Sequence, residues 1–226
     1  MISFKGAHFP KEVILHAVFF YLRYGVSYRD LEEILAERGV TVDHATLNRW
    51  VVKYAPMVAK TALKRRTSTS SSWRLDETYI KVKGAWHYLY RAVDKHGQTI
   101  DFMLSECRDL PAAQLFLVKA IRSSSGLPEK CAIDKSGSNI AAFESLNQAL
   151  SDANSASSVI VMQSKYLNNI IEQDHRFIKR KVRAMMGFGA FNSAEATLDG
   201  VEVANMIRRG QLGEGCPFAI FATLAA

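Results

Sequence analysis

The chain has 226 residues, 48% hydrophobic and 23% charged, which is enough apolar material for one medium α/β domain with a small appendage and argues against disorder. Its formal net charge of +7 suits nucleic acid or another polyanion as a partner. Three cysteines far apart, Cys107, Cys131 and Cys216, make no C-x-x-C pair, so a zinc ribbon or dithiol redox motif is not expected and a reducing compartment fits.

The first predicted element is the apolar run VILHAVFFYL, 13–22. It is too short to span a bilayer and lacks a small-residue cleavage site, so it reads as a buried helix of a soluble, cytoplasmic chain with no membrane partner. Next, Ser27 can cap a helix with Asp30 three residues on, Leu31, Ile34 and Leu35 form its apolar stripe, and Gly39 ends it. Asp43 can cap a further helix over about 44–55, with Leu47, Val51 and Tyr54 on one face. Two short helices around a glycine-containing turn make a helix-turn-helix candidate, with His44, Thr46, Asn48 and Arg49 facing DNA; a plain helical bundle has the same spacing. Residues 60–72, KTALKRRTSTSSS, show no apolar period and read as a basic, serine-rich linker.

From Trp73 the pattern changes to strands: WRLDETYIKV, AWHYLYRAVD and QTIDFMLSE, punctuated by Lys83-Gly84 and Lys95-His96-Gly97. A helix over 111–124, the short strand CAID, a helix from Ala141, the short strand VIVM and helices over about 168–186 and 194–209 follow. The order β-β-β-α-β-α-β-α is the plan of a ribonuclease H-like domain with a mixed five-stranded sheet and flanking helices, preceded here by the small all-α part. The expected boundaries are 1–59, 60–72 and 73–226.

In that topology the first and fourth strands are neighbours. Asp76 in the first and Asp134 at the end of the fourth would then approach each other, and a bound divalent cation relieves their repulsion. Glu172, on a helix crossing the strand ends, is the candidate third acid. Glu77, Asp94, Asp101 and Asp109 compete on composition alone. At 100° per residue, Glu172, His175, Arg176, Lys179 and Arg183 share one sector of their helix, and a surplus of cations beside an acid suits a surface that handles phosphates. Ordinary ion pairing along an amphipathic helix is the alternative.

The blocks DETYIKVKG with WHYLYRAVD, AIDKSGSN, KYLNNIIEQDHRFIKR and MGFGAF, in this order, strongly resemble the DDE transposases of bacterial insertion sequences, and within them insertion-sequence family six. The similarity runs from about residue 4 to 212. It implies Asp76, Asp134 and Glu172 as the catalytic, metal-binding triad and Lys179 as the basic residue seven positions after the glutamate. It also implies helix-turn-helix recognition of terminal inverted repeats. Under it, two Mg2+ or Mn2+ ions are expected across the scissile phosphate, with Lys179, Arg176, Arg180 and Arg183 on DNA phosphates. Joining two ends implies a homodimer or higher oligomer acting on double-stranded DNA, in a cytoplasmic, nucleoid-associated location. The 37 residues between Asp134 and Glu172 are more than this group leads one to expect. That motivates a second reading: a DNA-binding relic without catalysis. A nuclease of the same fold without strand transfer is a third.

Overall fold

The computed structural model describes residues 2–124, 126–134, 137–163 and 169–226. Lys135, Ser136 and KYLN at 165–168, parts of the family-like blocks, lie outside the described residues. The elements are α1 (Lys11–Arg23), α2 (Tyr28–Ala36), α3 (His44–Arg65), β1 (Ser72–Val82), β2 (Ala85–Asp94), β3 (Thr99–Ser105), α4 (Leu110–Ser123), β4 (Lys130–Ile133), α5 (Gly137–Asp152), β5 (Ile160–Gln163), α6 (Asn169–Ala184), α7 (Phe191–Arg208) and α8 (Pro217–Thr223). They form two compact units, one of residues 1–67 with 178–226 and one of residues 68–177. No helix among the described residues is long and apolar enough to cross a membrane.

The second unit holds a five-stranded sheet in the order β3-β2-β1-β4-β5. β1, β2 and β3 pair antiparallel, and β4 and β5 add parallel to β1. This is the ribonuclease H-like plan expected from the element order. The β1–β2 hairpin turns on Lys83 and Gly84, both at positive φ (47° and 83°), which matches the twist of a two-residue hairpin. Side chains alternate across β1. Trp73 and Leu75 enter a core with Tyr90, Ala92, Phe116 and Leu117, Cys131, Ile133 and Phe143, so α4 and α5 cover that face. Asp109 caps α4 by accepting the Ala112 N–H at 2.9 Å.

In the first unit the expected capping signals hold. The Ser27 hydroxyl accepts from the Asp30 N–H at 3.1 Å while Asp30 accepts from the Ser27 N–H at 2.9 Å. Gly39 takes the left-handed conformation that stops the chain turning as α2 (φ 76°), and Asp43 caps α3 through the Thr46 N–H at 3.0 Å. α3 differs from expectation. It runs to Arg65, so residues 60–65 of the expected linker are helical, and Pro56 sits inside it. Ala55, Val58, Ala59 and Ala62 carry its buried face past the proline. α7 packs on α1 and α3, and Gly200 is the point of close approach: a Cβ there would meet Leu22 Cδ1 at 2.4 Å and Ala55 Cβ at 2.9 Å. α7 starts at Phe191 rather than at 194, and the apolar tail forms α8.

Candidate active site

β1 and β4 run side by side, with Leu75 paired to Ile133. Asp76 and Asp134 are each the next residue, so the register alone carries both carboxylates to the same level of the sheet, where β4 ends and β1 continues. Oxygens of Asp76, Glu77 and Asp134 lie within 4.8 Å of one another. Three carboxylates this close repel, and little of that repulsion is shared with water: the Asp76 side chain is only 15% exposed. Its carboxyl is accordingly pushed up to about 7, by burial first, then by the charges of Glu77, Asp134 and, least, Glu172. The Glu77 N–H, donating to Asp76 Oδ1 at 2.9 Å, opposes the shift.

Glu172 lies in the first turn of α6, half-buried. It stands outside the group within 4.8 Å, yet it is near enough for its charge to act on Asp76. His175, one turn on, places Nδ1 3.6 Å from Asp76 Oδ2. The sequence sector grouped His175 with the basic residues; the structure puts it in the buried row with Ile171, Asp174 and Ile178, while Arg176, Lys179, Arg180 and Arg183 are exposed. Asp174 Oδ2 lies 3.5 Å from Nη2 of Arg91, the residue paired with Asp76 across β1 and β2, and both side chains are buried. This pair places α6 against the sheet face that bears Asp76.

The competing acids have structural partners. Asp94 accepts from the His96 and Gln98 N–H groups in the β2–β3 turn and from the Ser70 N–H just ahead of β1. Asp101 pairs with Lys119 at 3.3 Å, and Asp109 is the α4 cap. Glu77 is held by Arg108 Nε on one oxygen and by Asn139 Nδ2 at 2.9 Å on the other. Arg108 also brings Nη2 to 3.5 Å from Asp134 Oδ2. Neither Arg108 nor Asn139 was singled out from the sequence; they lie 31 and 62 residues from Glu77, and no local spacing links them to it.

In the first unit, His44 Nδ1 lies 3.0 Å from Glu32 Oε2, which also accepts the His44 N–H. The Thr46 hydroxyl donates to Asp43 Oδ2 at 2.6 Å and accepts from Arg49 Nη2 at 2.7 Å. Of the four expected readers, His44, Thr46 and Arg49 are thus engaged within the protein. Ala45, Asn48, Arg49 and Lys53 form the exposed face at the start of α3.

The arrangement fits a divalent cation by its donors: hard carboxylate oxygens, clustered, with a repulsion that a cation neutralises. A family model described as a DDE domain matches residues 70–211. The chain is 44% identical over 203 residues to the transposase for insertion sequence-like element IS431mec of Staphylococcus aureus, covering 89% of this chain and 87% of the relative. The transposase for insertion sequence element IS257 in transposon Tn4003, also from Staphylococcus aureus, matches to the same extent. Among solved structures, the catalytic core domain of BIV integrase aligns at 17% identity and a TM-score of 0.48, covering 68% of this chain and 95% of that one. The HTLV-2 integrase catalytic core domain aligns at 12% and 0.40, covering 59% and 99%. By the family model and the insertion-sequence relatives, the chain belongs to the DDE transposases of bacterial insertion sequences, in insertion-sequence family six.

Proposed function

We propose that this transposase binds the terminal inverted repeats of its element, cuts at the element end and joins the freed 3′-OH to target DNA. Asp76, Asp134 and Glu172 hold one or two Mg2+ or Mn2+ ions for both steps. The observation that carries this reading is the convergence of Asp76 and Asp134 on the paired strands β1 and β4, with the Asp76 carboxyl raised to about 7 by burial and by neighbouring acids. Bound there, a divalent cation supplies activation of the attacking oxygen and stabilisation of the departing 3′-oxygen. Asp76 must release its proton to serve as a ligand, and His175 Nδ1 at 3.6 Å helps fix the direction of its carboxylate. Glu172 supplies a third carboxylate from α6. Arg176, Lys179, Arg180 and Arg183 hold backbone phosphates along the exposed side of that helix. The attacking group is water in the first step and the 3′-OH in the second, so one set of side chains serves both. Two ends brought together call for at least two protomers.

A labelled inverted-repeat end should be cut and joined to a second DNA with Mg2+ or Mn2+ and left intact with a chelator. Cutting without joining would make the chain a nuclease, and end binding with neither step would make it a relic.

α2 and α3 serve as the helix-turn-helix, with Asn48 and Arg49 reading base edges and Lys53 nearby for phosphate. Asn suits adenine and Arg suits guanine in the major groove. Asn48→Ala and Arg49→Ala should each weaken binding to the element end by about 1–3 kcal/mol and leave binding to unrelated DNA nearly unchanged. Fluorescence anisotropy with competitor duplexes checks this; an equal loss on both DNAs would assign these residues to phosphates.

A further inference from the structure

Glu77 follows Asp76 in β1, so its side chain leaves the other face of the sheet, the one that α4 and α5 cover. Its side chain is 1% exposed, and both oxygens are engaged by protein donors, Arg108 Nε and Asn139 Nδ2. A carboxylate satisfied this way is a poor ligand, because coordination would displace a charge-assisted hydrogen bond. What it holds is a cation at the mouth of the site. Arg108 sits in the turn between β3 and α4, one residue before the cap Asp109. Nη1 reaches the Tyr79 hydroxyl at 3.4 Å, Nη2 lies 3.5 Å from Asp134 Oδ2, and 31% of the side chain stays exposed. Held through Nε from behind, the planar guanidinium is aimed past the very carboxylate that the proposed function places on a metal. Asn139, two residues into α5, braces Glu77 through its other oxygen.

We propose that Arg108 is a substrate-contacting residue of the catalytic centre, donating to the phosphate under attack beside Asp134, and that Glu77 is its positioning residue rather than a metal ligand. The proposal rests on the transposase reading, since it takes a DNA phosphodiester as the substrate. In an in-line displacement negative charge accumulates on the phosphate oxygens, and a fixed guanidinium stabilises that charge without reorganising.

The test pairs Mn2+ titration followed by electron paramagnetic resonance with single-turnover end cleavage, on Glu77→Gln, Arg108→Ala, Arg108→Lys, Asp134→Asn and the Glu77→Gln/Arg108→Ala double variant. Glu77→Gln and both Arg108 variants should bind Mn2+ as wild type does, whereas Asp134→Asn should not. Cleavage should fall by about 10²–10³-fold in Arg108→Ala, the scale of removing one preorganised charge-stabilising donor. Arg108→Lys keeps the charge and the ion pair, so it guards against misfolding; it should also be slow, because one ammonium cannot meet Glu77 and the phosphate together. The double variant should be no slower than Arg108→Ala alone, because the two residues act as one unit. Loss of Mn2+ binding in Glu77→Gln would overturn the assignment of Glu77 and leave the proposed function standing. Wild-type cleavage rates in Arg108→Ala would overturn the assignment of Arg108. A wild-type protein that binds Mn2+ but cuts no DNA would overturn the function and Arg108's part in it together.

Discussion

Asp76→Asn is expected to make the metal-free protein more stable above pH 7 while abolishing DNA joining. Asp76 titrates near 7 in the folded protein against an ordinary value of 3.8, because burial and the charges of Glu77, Asp134 and Glu172 disfavour its ionised form. Between those values the unfolded chain has released the proton and the folded chain keeps it. The folded state therefore loses stability as pH rises, by up to about 1.4 kcal/mol per unit. Summed over the window the cost approaches about 4 kcal/mol, and it is fully present above pH 7. An asparagine amide keeps the acceptor for the Glu77 N–H and carries no charge. Its stability advantage over wild type should be small at pH 4 and should grow to several kcal/mol, on the order of that sum, at pH 8. Mg2+ or Mn2+ should raise the melting temperature of wild type at pH 8 and not that of the variant, since a ligand that binds only the folded state stabilises it. Thermal melts at the two pH values, with and without metal, check all of this. A gap that stays constant with pH would show that Asp76 carries no such strain.

The second large effect is expected at Glu172. Glu172→Gln keeps the size and hydrogen-bonding capacity of the side chain, so fold and end binding should be unchanged. It removes one negative charge near Asp76, so the Asp76 carboxyl should fall toward its ordinary value, by less than when Asp134 is neutralised, because Glu172 is the weakest of the three acidic influences. Cleavage and joining should nevertheless drop on the order of 10³-fold, the scale for removing a group that stabilises charge in the transition state. The contrast is diagnostic: a modest effect on the ground-state electrostatics of Asp76, a severe one on the reaction.

Much of the architecture was legible because the deciding signals are local. Ser27 with Asp30, Asp43 with Thr46 and the Lys83-Gly84 turn each fix an element boundary within four residues. Alternation along WRLDETYIKV and the apolar strand CAID placed the two aspartates on strands that the topology then set side by side. The extension of α3 was hidden by Pro56, which reads as a helix end, and by alanines at positions 55, 59 and 62, whose small side chains give a faint apolar period. α7 is buried on nearly every side, so it has no amphipathic stripe to mark its start. His175 lies at the border between the polar and apolar sectors of α6, and its buried place beside Asp76, next to the Asp174–Arg91 pair, follows from packing that the helix's own periodicity does not show. The environment of Glu77 depends on Arg108 and Asn139 from two other elements, which no periodicity in β1 announces.

The most direct measurement of the central claim is strand transfer of a labelled inverted-repeat end in Mn2+, wild type beside Glu172→Gln, with end binding followed in the same samples. Metal-dependent joined products from wild type, absent from a Glu172→Gln protein that still binds the end, are the predicted result. Equal joining by the two proteins would contradict a triad of Asp76, Asp134 and Glu172 and return the third ligand to another acid of the site.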